Sequence, residues 1–229
     1  MSESVRRRRR GSLGTRAPLI GLIGPIGCGK STVARWLADR GAVVIDADEL
    51  TRTLMAPGAA VTDAIIDRFG GEYRRPDGSL DRTALGRLVF SDPARLAQLE
   101  AIVHPAISGL LEESIRHADG RNPAAIVLEA IKLVEAGHAP WCDDIWLVVC
   151  DPQTQLARLI GRGSAEADAR QRIAVQEASL PAWRAAATRV IRSDGSPTEV
   201  ERVADEALRK TLARHSQGRR APAVRPGLD

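Results

Sequence analysis

Gly24-Pro25-Ile26-Gly27-Cys28-Gly29-Lys30-Ser31 fits the pattern G-x-x-x-x-G-K-[ST], a loop built to hold phosphate groups. Backbone N–H groups can surround an anion only if the chain curls tightly, and glycines permit those dihedrals and a close approach. A helix predicted to begin at Ser31 would aim the positive end of its dipole at the same anion. Gly27, Cys28, Gly29, Lys30, Ser31 and Thr32 are therefore the expected nucleotide-binding residues. Lys30 has the reach and charge for the β- and γ-phosphates, Ser31 is the expected Mg²⁺ ligand, and Thr32 is placed for a phosphate oxygen. A dinucleotide loop is disfavoured, because no third glycine follows Gly27-x-Gly29 at the required place. Cys28 reads as a small space-filling residue, with a redox-sensing thiol as the alternative.

A second cluster of chemistry follows at Asp46-Ala47-Asp48. Ligands of open α/β sheets gather at the carboxyl ends of the strands, and this triplet ends a predicted strand. Asp48 is the expected base that takes a proton from an attacking hydroxyl, and Asp46 is expected to hold water around Mg²⁺. The plainer alternative is that one of the two simply caps the next helix. Loop and carboxylates together predict transfer of the γ-phosphoryl group of ATP to a small hydroxyl-bearing acceptor.

These residues need a frame. Residues 19–23 form a short apolar run before the loop, and Val33, Ala34, Leu37 and Ala38 give helical spacing up to Gly41. Further apolar strands are expected at 42–45, 124–128, 145–149 and 189–191, with helices at 49–70 (broken near Pro57-Gly58), 81–89, from 93, 152–162, 165–179 and 198–212. Pro76-Asp77-Gly78 is a turn signal, and His104-Pro105 is expected to interrupt the helix that starts at Pro93. Strands alternating with helices predict an α/β fold with a mostly parallel sheet covered on both faces. The helix-rich stretch 49–120 is too long for a simple crossover, so it is expected to form an acceptor-binding region within a kinase domain spanning 17–213.

Bulk properties agree with one domain of this kind. The chain has 229 residues and a net charge of +4, with +5 in residues 1–17 and +3 in residues 214–229, leaving a body of −4. The basic character thus belongs to the ends, which are expected to be a disordered tail over 1–16 and a flexible tail over 214–229. Nucleic acid is not an expected partner of the body on these grounds. Three cysteines match no zinc pattern and suit a reducing cytoplasm. No apolar run reaches membrane-spanning length.

The order of motifs resembles the dephospho-CoA kinase family. The resemblance runs from about Leu19 to Glu206 and includes residues 20–32, Val44-Ile45-Asp46-Ala47-Asp48, Phe69-Gly70, residues 77–82, Leu99 to Pro105, Gln155 to Arg162 and Arg172 to Gln176. It implies phosphorylation of the ribose 3′-hydroxyl of dephospho-CoA by MgATP to give coenzyme A. It also implies Asp48 as the base, Lys30 and the loop as the ATP site, and Arg158 on a lid over about 152–185 as the group that neutralises the transferring phosphoryl. Arg162 is either part of that lid chemistry or an ordinary exposed arginine, and His104 either belongs to the site or only shapes a helix start. Departures fall at Ile23, Pro25, Lys132, Arg192 and Ser193. Lys132 stands where the acceptor is expected, so it either contacts the acceptor's phosphates or marks a different acceptor. Two other readings fit the loop: a kinase for another nucleoside or sugar-like alcohol, and a nucleotide-binding regulator with polyanion-binding tails.

Overall fold

A computed structural model describes residues 13–220. The Arg6–Arg10 run and the last nine residues, where polyanion contact was one expectation, lie outside the described residues.

Five strands, β1 (Leu19–Ile23), β2 (Ala42–Asp46), β3 (Ala125–Glu129), β4 (Asp144–Val149) and β5 (Arg189–Arg192), form one parallel sheet in the order β2-β3-β1-β4-β5. β1 is central, pairing Ile20 with Val127 on one side and Gly21 with Ile145 on the other. All five of its residues are buried, which is why it reads as a continuous apolar run rather than an alternation. Helix α1 (Lys30–Asp39) buries Val33, Ala34 and Leu37 against one sheet face, beside Ile20, Leu22, Trp146 and Val148.

Residues 46–117 form a compact unit of their own. It holds α2 (Ala47–Leu54), α3 (Ala60–Phe69), α4 (Arg82–Phe90) and most of α5 (Pro93–Gly120). Its core is Val61, Ile65, Ile66, Leu80, Leu85 and Val89. The turn at 75–79 is closed by Arg75 and Ser79 backbone groups, and Asp81 caps α4 through the N–H groups of Thr83 and Ala84.

The expected interruption at His104-Pro105 does not occur: α5 runs through Pro105 without a break. Proline removes the hydrogen bond to the carbonyl of Ala101. Ala101, His104 and Pro105 are all exposed, so water can satisfy that carbonyl, while Leu99, Ile102, Val103 and Ala106 pack the opposite side onto the core.

Returning to the sheet unit, α6 (Pro152–Gly161), α7 (Glu166–Glu177) and α8 (Leu180–Ala186) follow β4, and α8 is an addition to the sequence reading. The last helix, α9 (Pro197–Arg220), packs Val200, Ala204, Ala207 and Leu208 on the α1 side of the sheet. It reaches Arg220, so residues 214–220 are helical rather than tail.

The reason lies at Asp144, whose side chain is 1% exposed at the start of β4. Its carboxylate accepts hydrogen bonds from Thr188 at 2.7 Å and from Thr211 and Arg214 of α9. Burial opposes ionisation of Asp144, but the hydrogen bonds from Thr211, Thr188 and Arg214 outweigh it and hold the carboxyl below its usual range. Asp144→Asn removes the charge and leaves its donors facing an amide, and the expected cost is about 2–4 kcal/mol. A carboxyl with a lowered folded-state pKa stabilises the fold above its unfolded pKa and loses that contribution as pH falls through the folded value. The gap in melting temperature between wild type and Asp144→Asn is therefore full at neutral pH and narrows below about pH 4, the unfolded aspartate value. Thermal melts at several pH values check both statements.

Candidate active site

The phosphate loop leaves β1 at Gly24 and leans across β4. A Cβ at Gly24 would lie 2.1 Å from the carbonyl oxygen of Val148, and the residue has φ +145°. Only glycine fits there. Gly27 and Gly29 have φ +81° and +83°, and a Cβ at Gly27 would lie 3.0 Å from the Gln155 carbonyl oxygen. Gly29 is the N-cap of α1 and no side chain caps that helix, so its first turn presents N–H groups to an anion.

Lys30 is 8% exposed, and its ammonium donates to the carbonyls of Gly24 at 2.7 Å and Pro25 at 3.3 Å. The cation is thus held inside the loop it would share with a phosphate. Ser31 is exposed in the first turn of α1, with Thr32 beside it. Among the described residues no group of three or more His, Cys, Asp or Glu forms a metal cage.

Arg158 of α6 is placed at the loop. It donates from Nη1 to the Ser193 hydroxyl at 3.1 Å and from Nη2 to the Ser193 carbonyl at 2.6 Å. The Ser193 hydroxyl in turn donates to the carbonyl of Cys28 at 2.6 Å. One serine just after β5 therefore connects the arginine to the loop backbone. Beside it, Thr32, Trp36, Arg158, Arg162, Ser193 and Gly195 line a cavity of about 230 Å³. Arg162 joins this cavity and makes no part of the Arg158–Ser193 contact.

Two contacts were absent from the residue-level expectations. The Gln155 amide donates to the Ile26 carbonyl at 2.8 Å, and the Ile26 N–H donates to the Gln176 side-chain oxygen at 2.7 Å. Helices α6 and α7 thus grip the loop from outside at a single residue. Both glutamines lie in motifs that resemble the family, so the signal was present without a role attached to it.

Cys28 is more than a filler. It is joined by a disulfide to Cys150, which follows β4, with Cα atoms 5.2 Å apart and a sequence separation of 122. That corrects the expectation of reduced cysteines, and the separation explains why no local spacing announced the pair. The third cysteine, Cys142, has its thiol pushed up to about 12 by burial and by the nearby Asp143.

Asp46 caps α2: its carboxylate accepts from the N–H groups of Asp48 and Glu49, each at 2.9 Å. The plainer alternative for this pair thus holds at Asp46, with both cap hydrogen bonds on its Oδ1. Asp48 is exposed in the first turn of α2, within the unit of residues 46–117. His104 is exposed, and Lys132 is exposed in the segment after β3. Glu135, three residues on, accepts a hydrogen bond from the Trp183 indole at 2.9 Å and anchors α8.

A parallel sheet with a phosphate loop after its central strand, and helices gripping that loop, defines a P-loop kinase-type fold. A family model described as dephospho-CoA kinase matches residues 18–199. A dephospho-CoA kinase of Symbiobacterium thermophilum is 45% identical over 179 residues, 78% of this chain and 74% of the relative. A crystal structure from Thermus thermophilus shares 32% identity with a TM-score of 0.68, covering 85% of this chain and 97% of the other. The dephospho-CoA kinase of Campylobacter jejuni, at 20% identity and TM-score 0.60, covers 85% and 97% and shares the fold. The chain belongs to the dephospho-CoA kinase family.

If the two glutamines hold the loop in shape for phosphate, Gln176→Ala weakens MgATP binding by about twofold to tenfold, the worth of one such hydrogen bond. Titration calorimetry measures it. An unchanged Kd removes the clamp from the binding account.

Proposed function

We propose that this chain performs its family's reaction with a division of labour among the residues described above. The reaction is ATP-dependent phosphorylation of dephospho-CoA to coenzyme A, with Mg²⁺ accompanying ATP. The observation that carries the reading is the phosphate loop, with Lys30 inside it and Arg158 held beside it through Ser193.

Loop amides and the N-terminus of α1 bind the phosphates, and Lys30 leaves the Gly24 and Pro25 carbonyls to meet them. Ser31 holds the metal, which when bound neutralises charge on the phosphates. The cavity beside Thr32, Trp36 and Arg162 takes the adenine, where a guanidinium plane can stack on the base. Arg158 neutralises charge on the group in flight, fixed in advance so that little reorganisation is needed during transfer. Asp48 accepts the proton of the attacking 3′-hydroxyl. Dephospho-CoA is bound with help from residues 46–117, and α6–α8 form the lid that excludes water.

No helix among the described residues is long and apolar enough to cross a membrane. The proposed setting is the cytoplasm, supported by family membership.

The proton-accepting role is tested by Asp48→Asn. Turnover with dephospho-CoA is expected to fall by about 10²–10⁴-fold, the usual worth of a general base. The Kd for MgATP is expected to stay within about twofold, because the loop is untouched. Unchanged turnover would take Asp48 out of the mechanism and leave the ATP site standing.

A further inference from the structure

The loop that grips phosphate also holds one half of a dithiol pair. Cys28 sits at its centre and is 1% exposed, and Cys150 is half-buried at the end of β4. Cys150 lines a cavity of about 310 Å³ together with Pro25, Asp151, Gln155 and Gln176. The cavity gives a small molecule a route to the Cys150 sulfur, and it borders the two glutamines that grip Ile26.

We propose that Cys150 and Cys28 form a thiol–disulfide modification site that takes a low-molecular-weight disulfide and lowers the affinity of the loop for ATP when oxidised. The Cys150 thiolate attacks one sulfur of the small disulfide, forming a mixed disulfide and releasing one small thiolate. The Cys28 thiolate then attacks the Cys150 sulfur, forming the internal bond and releasing the second. The two protein thiols lose two electrons and two protons, and the small disulfide becomes two thiols. Reduction by a small dithiol runs the exchange backwards. Disulfides of cytoplasmic proteins are commonly transient and sensing, which suits a reversible bond at a binding loop.

The effect on affinity follows from what the bonded state holds. With the cross-link in place, the Cys28 N–H donates to the Pro25 carbonyl at 3.3 Å, and Lys30 donates to the Gly24 and Pro25 carbonyls. The Cys28 carbonyl is held by Ser193. The loop is closed upon itself, and a phosphate needs the lysine turned outward and the amides freed. A covalent tie from the loop centre to β4 restricts that rearrangement. Cys142 is a poor competitor for the exchange, because desolvation and the nearby Asp143 keep its thiol protonated.

The test uses the full chain after incubation with glutathione disulfide or with dithiothreitol. Peptide mass mapping reads the cross-link, and titration calorimetry reads MgATP binding, so failure of the acceptor assignment leaves the experiment intact. The expected result is a Cys28–Cys150 cross-link and a Kd raised about tenfold or more, as when a tenth or less of the protein remains binding-competent. Dithiothreitol restores the affinity. Cys150→Ser, with Cys150→Ala as a second variant, is expected to bind MgATP like the reduced wild type under both treatments. Three results overturn the proposal: no cross-link after the disulfide treatment, a cross-link with unchanged Kd, or a shift that persists in a folded Cys150 variant.

Discussion

The close approach of Gly24 to the Val148 carbonyl is the constraint on which the rest of the sheet unit depends. A side chain there would collide with β4 backbone, so the loop can cross the strand only as glycine. That crossing brings the loop beneath α6, where Gln155 takes the Ile26 carbonyl and Gln176 takes its N–H. It also carries Cys28 to Ser193 and Cys150, which follow β5 and β4. Anion binding by backbone requires geometry fixed to a fraction of an ångström. Here the fixing comes from side chains remote in sequence that hold loop backbone groups: Gln155 and Gln176 at Ile26, and Ser193 at the Cys28 carbonyl.

Sequence departures from the family acquire meaning in this frame. Ser193, one of the departures from the family pattern, links Arg158 to the loop through one hydroxyl and one carbonyl. Arg192 turns to Asp194 at 2.7 Å and forms an exposed ion pair, a contact worth little to stability. Position 193, not 192, therefore contributes to placing Arg158. Lys132 is exposed after β3, and nothing in the structure explains its substitution.

Local signals carried most of the fold and the phosphate loop. The loop was legible because glycine spacing, an apolar strand and a helix start are neighbours in sequence. Asp81, Pro93 and the turn at 76–78 were legible for the same reason, since caps and turns are made within a few residues. Contacts over long separations were not. The Cys28–Cys150 bond joins residues 122 apart. The glutamine grip on Ile26 spans 129 and 150 positions. The unbroken α5 reflects a core that outweighs a proline's local preference, and the extension of α9 to Arg220 reflects a buried aspartate that rewards Thr211 and Arg214. At Asp46 two roles fitted the same residue type, and the coordinates show the cap of α2 made through its Oδ1.

All of these parts serve one claim, that the loop positions a phosphoryl group for capture by an alcohol rather than by water. The direct measurement is to mix the reduced protein with MgATP and dephospho-CoA and follow nucleotide and acceptor masses together. The account predicts ADP and an acceptor one phosphate heavier in equal amounts, with little ADP when dephospho-CoA is withheld. ADP formed at the same rate without the acceptor, or with the acceptor mass unchanged, would contradict it.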